Sequence, residues 1–345
     1  MPLRPNFIER QLIKWGMIPG PLVDAALPGF MMSAMIGAGS IGLFRTLNQE
    51  PATAEELAGK TGCNVRAVTN LLRVLQPLGY VEKKNGTYSL TKYARKAIPV
   101  EMYQDIATFA GKQIRLAVEN VETALREAPE EGVIGWDQVR EGEFARTYQV
   151  TMRWLAISTV QEVTKKVSLP EGSKRMLDVG GSHGLYCVEM CRKYPELRAT
   201  VMDWPVGIEN AKETLKEESD VADRIDTLEA DFFEDPFPSG YDYAFFGNII
   251  HGNVPEQNQE LFNRLGRSLT NRGTIGILDQ FDNVSGSRFT RSVASLIGWN
   301  LFLFSNGRAY QVDDVKGWLK DAGFPNTKVK PLKKSPGFTL LIAKR

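Results

Sequence analysis

The chain has 345 residues, of which 43% are hydrophobic and 24% are charged. This length suggests about two domains, each large enough to bury a hydrophobic core. The chain has 42 lysines and arginines and 41 aspartates and glutamates. These nearly equal numbers of basic and acidic residues argue against a protein whose main partner is nucleic acid.

The cysteine content and the N-terminus indicate a compartment. Three cysteines cannot form a disulfide framework, and reduced thiols fit the cytoplasm. The N-terminal residues lack the apolar core and cleavage pattern of a signal peptide. The most apolar stretch, from Phe30 to Phe44, is shorter than the roughly 20 residues that cross a bilayer. We therefore expect a soluble cytoplasmic protein with no membrane partner.

The first hundred residues predict a small helical domain with a hairpin. Residues 30–49 form an apolar helix that is hydrophobic around most of its circumference, as is typical of a helix buried in a core or against a partner chain. Thr53 and Glu56 form a capping box that begins the next helix. A further helix follows, and Asn85-Gly86 is a hairpin signal. Helix, turn, helix and β-hairpin in this order predict a winged helix.

The second half of the chain alternates strand-like and helical segments. Residues 101–168 are predicted as helical connectors, and the alternation that follows predicts a parallel sheet with helices on both faces. The last two strand runs are joined by so short a link that only a hairpin fits, so the last strand should be antiparallel. We predict an α/β fold: a Rossmann-like, mostly parallel seven-stranded sheet with an antiparallel last strand, and an N-terminal all-helical or winged-helix domain. The strand runs are 176–179, 198–203, 225–230, 243–249, 274–281, 327–332 and 338–343.

Acidic residues stand at the ends of three successive predicted strands. Asp178 precedes a glycine-rich turn that matches neither the dinucleotide fingerprint nor a P-loop. A carboxylate there would repel a pyrophosphate, but it suits a ligand with an ammonium group and a cationic sulfur. Asp203, at the end of the next strand, can bind two ribose hydroxyls. Asp231 and Phe232 suit an adenine amino group and its ring face. The three acids therefore predict a positively charged, adenosyl-bearing ligand.

The chain resembles the class I S-adenosylmethionine-dependent O-methyltransferases that act on small molecules and carry an N-terminal winged-helix dimerisation domain. The segment 178–184 resembles the first motif of that family, 202–205 its second and 230–238 its third. The segment 245–253 resembles the stretch that contains the family's catalytic histidine, which is His251 here.

The resemblance, which extends from about Phe30 to Lys344, implies a role for each part of the chain. Residues 1–105 would form the winged-helix domain of a homodimer, 106–168 a helical connector that contributes to the acceptor pocket, and 169–345 the catalytic domain. It implies S-adenosyl-L-methionine as cofactor, S-adenosyl-L-homocysteine as product, a small-molecule acceptor and no metal. The implied cofactor residues are Asp178, Gly180, Gly181, Gly184, Asp203, Trp204, Asp231, Phe232 and Asn248. The implied substrate residues are Met152, Trp299, Asn300 and Leu303.

Methyl transfer from a sulfonium requires alignment of the nucleophile with the methyl group, and removal of the acceptor's proton. The resemblance assigns His251 as the general base, a task that histidine suits at neutral pH. The family orients this histidine with two acids. One stands here as Asp279, whereas Ala309 occupies the position of the other, and Gly252-Asn253 replaces an Asp-Trp pair. Apolar pocket residues predict that the acceptor is a hydrophobic, aromatic molecule of the secondary-metabolite type with a hydroxyl group.

Other functions remain open from the sequence. The departures from the family pattern leave C-methylation of an aromatic or tetrapyrrole carbon, which requires a weaker base or none, and a relative that binds the cofactor without methylating. A DNA-binding regulator is the alternative from another class. The second helix of the winged helix offers only Arg66 and Arg73 as basic residues, so we expect no nucleic-acid partner. His183, Cys187 and Cys191 are spaced by four but lack a fourth ligand, so we expect no metal.

Overall fold

The structure, a computed structural model, describes residues 6–20, 22–282, 288–335 and 337–345. Packing divides the chain into a first unit, Met1–Ile114, and a second unit, Arg115–Arg345. The sequence analysis placed its first boundary at residue 105 and treated 106–168 as a separate connector. That three-part division stays a prediction, and the two units are described below one at a time.

The first unit consists of helices and one hairpin. Thr53 caps its helix by accepting from the backbone N–H of Glu56, as the capping box predicted. Asn85 and Gly86 have positive φ angles of 49° and 86° at the hairpin turn, which confirms the predicted hairpin. The elements are α1 (Phe7–Lys14), a π-helical turn (Leu22–Ala26), α2 (Leu27–Ser40), α3 (Leu43–Gln49), α4 (Ala54–Thr61), α5 (Val65–Leu75), β1 (Val81–Lys84), β2 (Thr87–Leu90), α6 (Lys92–Ala97) and α7 (Tyr103–Glu127), which continues into the second unit.

The prediction of a single apolar helix over residues 30–49 was wrong, because the structure divides this segment between α2 and α3. Gly42 lies between them with a φ of 68°, a left-handed conformation that a right-handed helix cannot contain. The stretches Val23–Ser40 and Leu43–Gln49 are consequently bent by 60°. In the described part of the chain, no single helix meets the length and hydropathy needed to cross a membrane, and only this bent pair meets them jointly.

The core of the first unit lies under α5 and the hairpin. Val68, Leu72 and Leu75 recur at helical spacing and are buried, as the sequence pattern requires of an amphipathic helix. They belong to one hydrophobic cluster with Leu57 of α4 and Leu90 of β2. Packing between α4, α5 and the hairpin therefore holds this unit together.

The second unit contains the predicted alternation of strands and helices. Its elements after α7 are a 3-10 turn (Trp136–Val139), α8 (Gly142–Lys166), β3 (Arg175–Val179), α9 (Leu185–Lys193), β4 (Arg198–Asp203), α10 (Pro205–Glu217), a 3-10 turn (Ala222–Arg224), β5 (Ile225–Glu229), β6 (Tyr241–Gly247), a 3-10 turn (Ile250–Gly252), α11 (Pro255–Ser268), β7 (Leu269–Gln280), α12 (Arg288–Ser305), α13 (Val312–Asp321), β8 (Asn326–Pro331) and β9 (Phe338–Lys344).

Seven of the described strands form one sheet in the order β5-β4-β3-β6-β7-β9-β8. Neighbours from β5 to β7 are parallel, whereas β9 is antiparallel to both β7 and β8. This confirms the predicted sheet and its antiparallel last strand. The chain moves outward from β3 through β4 to β5 and then returns to β6 on the other side of β3. The carboxyl ends of β3 and β6 therefore border the crevice where ligands of such sheets bind.

Helices cover both faces of this sheet. Along β3, Met176 belongs to the cluster under α8 and α9, whereas its neighbour Leu177 belongs to the cluster under α11 and α13. Val201 and Met202 on β4 divide in the same way. Successive side chains of a strand point to opposite faces, so strands that are buried on both faces read as continuous apolar runs.

Truncation of a core side chain tests the packing of the first unit. Leu72 is fully buried, so we expect Leu72→Ala to lower the free energy of unfolding by about 2–5 kcal/mol, measured by urea titration. Arg73→Ala, on the exposed face of the same helix, is the control and should change it by less than about 0.5 kcal/mol. Equal effects of the two substitutions would contradict the assigned helix face.

Candidate active site

A cavity of about 310 Å³ lies at the carboxyl ends of the parallel strands of the second unit. Among the predicted ligand residues, its wall includes Met152, Gly180, Asp203, Trp204, Phe232 and Asn248. The other predicted cofactor residues, Asp178, Gly181, Gly184 and Asp231, lie behind or beside this wall. The structure thus brings together residues from α8 and from the ends of β3, β4, β5 and β6.

The turn after β3 comes close to the cavity because it contains glycines. Gly180 has a φ of 66°, and a Cβ there would lie 2.3 Å from Cδ1 of Ile249. Gly184 has a φ of 68° and begins α9. These positions need a residue without a side chain, so the backbone itself forms the floor of the cavity.

Asp178 lies beneath this turn, with only 1% of its surface exposed. Its carboxylate accepts a hydrogen bond from Sγ of Cys187, with 3.6 Å between the heavy atoms. Burial raises the pKa of Asp178 to about 7. Cys187 and Cys191 are both buried on α9, and burial likewise raises the pKa of each thiol.

Asp203 stands on the cavity wall at the end of β4. Its two carboxylate oxygens accept hydrogen bonds from the backbone N–H groups of Ser182 and Trp204, each at 2.7 Å. Burial nevertheless raises the pKa of Asp203 to about 6. Asp178 and Asp203 are therefore carboxyl groups that lie in the interior of the protein, where their charged forms are poorly solvated.

Asp231 and Trp204 form a pair beside the cavity. The indole Nε1 of Trp204 donates to the Asp231 carboxylate at 3.1 Å. The guanidinium of Arg140 lies 4.2 Å from the centre of the Trp204 ring and 3.4 Å from the same carboxylate. Phe232 and Phe233 both line the cavity. Trp204 is thus held by one acid and one arginine, and a second arginine, Arg264, donates to the carbonyls of Phe232 and Phe233.

His251 lies just behind the wall, and Ile249 and Gly252 on either side of it face the cavity. Nδ1 of His251 is 2.5 Å from Oδ1 of Asp279, and the backbone N–H of His251 donates to Oδ2 at 3.3 Å. Both residues are buried. A buried carboxylate accepts a hydrogen bond, so the ring proton is placed on Nδ1 and Nε2 is left as the proton acceptor. The structure therefore brings the two predicted catalytic residues together.

Asn248 has a φ of 60°, which is unusual for a residue other than glycine. Its Oδ1 accepts from Nε2 of Gln280 at 3.0 Å, and its backbone N–H donates to the carbonyl of Leu278 at 2.9 Å. Gln280 follows Asp279 on β7, so two consecutive strand residues anchor two residues of the segment after β6. This anchoring is what holds the strained Asn248 against the cavity.

The structure does not bring three of the predicted substrate residues to the cavity. Trp299 is 42% exposed, and neither Asn300 nor Leu303 lies on the wall. The physical reason is the path of α12: among its described side chains, the cavity wall includes that of the C-terminal residue, Ser305. Met152 does line the cavity, as predicted.

Several wall residues were missed from the sequence. Tyr148 and Gln149 lie one helical turn before Met152 on α8, a spacing that could have identified them. His183 also lines the cavity, and burial lowers its pKa to about 3. No local sequence pattern identifies Trp136 and Arg140 as wall residues, because each contacts residues far away in the sequence.

In the part of the chain that the structure describes, no three His, Cys, Asp or Glu side chains are grouped so that they could hold a metal ion. The candidate group of His183, Cys187 and Cys191 is divided by its contacts. His183 accepts a hydrogen bond from the backbone of Leu185, and Cys191 donates to the carbonyl of Leu197.

Removing the buried charge of Asp178 tests its environment. Because its pKa is raised from 3.8 to about 7, the native state binds more protons than the unfolded state between these values, and stability falls as pH rises through that window. We expect Asp178→Asn to raise the thermal midpoint by a few degrees at about pH 8, and the difference to shrink toward about pH 4. Differential scanning calorimetry measures both.

Asp226→Asn is the control for this experiment, because Asp226 is an exposed acid on β5. Its substitution should leave the pH dependence of the thermal midpoint unchanged. Identical midpoints of Asp178→Asn and the wild type at both pH values would contradict the raised pKa.

Comparison with known proteins assigns the fold to a family. Residues 132–325 match the family model described as O-methyltransferase domain, and residues 26–98 match that of the O-methyltransferase dimerisation domain. The 3-hydroxy-5-methyl-1-naphthoate 3-O-methyltransferase of Streptomyces sahachiroi is 29% identical over 316 residues, which cover 88% of this chain and 89% of that protein. The bacteriochlorophyllide d C-20 methyltransferase of Chlorobaculum tepidum is 24% identical over 254 residues, 72% of this chain and 74% of that protein.

A solved structure agrees with the sequence matches. Human N-acetylserotonin methyltransferase in complex with SAM superimposes with a TM-score of 0.80 at 20% identity, covering 94% of this chain and 96% of that chain. This likeness shows the fold. The first family model alone matches more than half of the chain. The chain therefore belongs to the O-methyltransferase family and is an S-adenosylmethionine-dependent methyltransferase.

Proposed function

We propose that this enzyme transfers a methyl group from S-adenosylmethionine to a hydroxyl group of a flat, hydrophobic, aromatic small molecule, with His251 as the general base. The observation that carries the proposal is the 2.5 Å contact between His251 and Asp279 directly behind the cavity wall. The same edge of the sheet carries Gly180 and Asp203, which are suited to the cofactor.

The residues of the cavity fit S-adenosylmethionine. A Cβ at Gly180 would lie 2.3 Å from Cδ1 of Ile249, so this position on the cavity wall has no room for a side chain and presents its backbone to a ligand. Burial raises the pKa of the Asp203 and Asp178 carboxyl groups, and a cationic ligand would stabilise their charged forms. Trp204 and Phe232 offer apolar surface for an adenine ring. We assign these residues to the cofactor.

The cofactor, when bound, supplies an electrophilic methyl group on a cationic sulfur. The protein's own residues perform the remaining tasks. Asp279 accepts from Nδ1–H of His251, which fixes the ring and leaves Nε2 to take the proton of the acceptor's hydroxyl. The Asp279 carboxylate then stabilises the imidazolium that forms, while the cavity wall aligns the oxygen with the methyl group and excludes water.

The acceptor class is inferred from the wall and from a relative. Trp136, Tyr148 and Met152 provide aromatic and apolar surface on the side of the cavity formed by α8 and the turn before it. The Streptomyces sahachiroi relative is named for a hydroxylated naphthoate. A hydroxylated bicyclic or similar aromatic compound fits both observations.

Replacement of the proposed base tests the mechanism. We expect His251→Ala to lower kcat by at least about tenfold, within the roughly 10²–10⁴-fold range of general bases. The Kd for S-adenosylhomocysteine should stay unchanged, because the histidine acts on the acceptor. Transfer of a labelled methyl group to 3-hydroxy-5-methyl-1-naphthoate and a panel of naphthols measures kcat, and titration calorimetry measures the Kd.

A pair of acid variants provides the matched control. Asp279→Asn should lower kcat because an amide cannot hold the Nδ1–H tautomer as a carboxylate does. Asp282 is an exposed acid near the same strand end, and Asp282→Asn should leave kcat unchanged. Full turnover by His251→Ala would refute the role of the general base. If none of the aromatic probes is methylated, the acceptor class is wrong.

C-methylation is the second candidate function, and the relative from Chlorobaculum tepidum favours it because its name describes methylation at a carbon. Ala309, which stands where the family has a second acid, is compatible with it, since a carbon nucleophile requires a weaker base. The position of a ¹³C-labelled methyl group in the product, read by NMR, distinguishes an O-methyl from a C-methyl product.

We also propose that the first unit forms a homodimer, because it matches a dimerisation domain and exposes large apolar side chains. Phe30 on α2 is 70% exposed. We expect light scattering to give twice the chain mass of 38.5 kDa for the wild type. Phe30→Asp should shift the mass toward one chain, and a monomeric wild type would contradict the dimer.

A further inference from the structure

The loop of residues 129–141 between α7 and α8 forms one wall of the cavity and is fastened at both ends. Toward its start, the backbone N–H groups of Val133 and Gly135 donate to the carbonyls of Leu303 and Phe304 at 3.0 and 2.8 Å. Toward its end, Arg140 contacts Trp204 and Asp231 on the aromatic side of the site. The loop therefore joins the C-terminal end of α12 to the residues assigned to the cofactor.

Trp136 is the residue of this loop that contacts the 3-10 turn Ile250–Gly252, which contains His251 and is called the catalytic turn below. Its indole ring lies on the cavity wall and packs edge-to-face on Phe304, with 4.9 Å between ring centres. Its Nε1 donates to the carbonyl of Gly252 at 3.4 Å. A Cβ at Gly252 would lie only 2.4 Å from Cζ2 of the indole. The ring thus occupies the space that a side chain at position 252 would need.

The opposite side of the same turn is equally close-packed. A Cβ at Gly307 would lie 2.1 Å from the carbonyl oxygen of His251, and the backbone N–H of Arg308 donates to that oxygen at 2.8 Å. The His251–Gly252 backbone is therefore enclosed between Trp136 on one side and the Gly307–Arg308 segment on the other. Neither side leaves room for the turn to shift.

We propose that Trp136 is a positioning residue for His251: its indole replaces a side chain at Gly252 and holds the catalytic turn at the edge of the cavity. This inference rests on the proposed role of His251. A misplacement of about 1 Å in a catalytic group lowers rates by as much as roughly 10²-fold, so a rigid contact on the residue next to the base has a direct effect on turnover. Position 252 must then be glycine, because the indole of Trp136 leaves no room for a side chain there.

A cycle of two substitutions tests this contact. Gly252→Ala places a methyl group against the indole and should displace the turn, which lowers kcat by about tenfold, the size of coupling expected for residues in contact. Trp136→Phe removes the part of the ring that the new methyl group would meet. In the Trp136→Phe background, Gly252→Ala should therefore change kcat by less than about twofold, because the clash no longer exists.

NMR of the imidazole rings reads the position of His251 without any acceptor. The chain has 2 histidines, so the ring nitrogens of ¹⁵N-histidine-labelled protein can be assigned with a His251→Ala sample. The wild type should show the Nδ1–H tautomer at His251. Gly252→Ala should weaken or shift that signature, and so should Trp136→Phe, because it removes the indole that holds the turn; in the Trp136→Phe background, Gly252→Ala should add no further shift. A purely structural role would lower the thermal midpoint without changing the His251 signature.

The controls use the same substitutions elsewhere. Gly317→Ala on α13 adds a methyl group that has no neighbour within 4 Å, and Trp15→Phe changes an exposed tryptophan outside the cavity wall. Both should leave kcat and the His251 signature unchanged. The Kd for S-adenosylhomocysteine should stay within about twofold of wild type in every variant, because Trp136 acts on the turn.

Two outcomes overturn the inference and spare the proposed function. One is a Gly252→Ala enzyme with wild-type kcat and an unchanged His251 signature. The other is an effect of Gly252→Ala that is equally large with Trp136 and with Phe at position 136. Full activity of His251→Ala, by contrast, overturns the proposed function itself and leaves the packing contact without a catalytic consequence.

Discussion

The burial of carboxyl groups at the ends of neighbouring parallel strands is the constraint on which this enzyme depends. Asp178 and Asp203 lie where β3 and β4 end, and little water reaches either side chain. Burial raises the pKa of both groups, so the free protein holds charges that its interior solvates poorly. With these acids assigned to the cofactor, as proposed, a cationic ligand would stabilise those charges. Selection of the ligand and the stability of the free protein would then have one electrostatic cause.

The acids at this edge of the sheet differ in how their charge is accommodated, and the difference separates their roles. Asp279 accepts from Nδ1 of His251 and from two backbone N–H groups, those of His251 and Gln280. Asp178 accepts only from the weak thiol donor Cys187 among the described contacts. Several donors fix a carboxylate in place, so that it can orient the proposed base, whereas a buried carboxyl group with one weak donor responds to the charge of a ligand.

The strands and their acidic ends could be predicted because both are local signals: an apolar run of buried-strand length, then a carboxylate. The bend at Gly42 could not, because a glycine inside an apolar helical pattern is compatible with either continuation. The substrate contacts on α12 stay a prediction for a related reason. Its apolar residues satisfy core packing and ligand contact equally well, and among its described side chains the path of the helix places Ser305, rather than Trp299, on the cavity wall.

The site residues that the sequence did not reveal are those whose role depends on contact with a residue far away in the sequence. In the sequence alone, Gly252 is a departure from the family pattern: a position without a side chain, next to the proposed base His251. The structure shows that Trp136, more than a hundred residues earlier, fills that space. The missing side chain at Gly252 and the bulky ring of Trp136 are then two parts of one packing contact. Close-packed interiors couple such pairs, since neither residue can change in volume without moving the other. The strength of the proposed base, His251, is therefore to be judged from Asp279 together with the loop that carries Trp136, and Ala309, where the family has a second acid, is only one part of that environment.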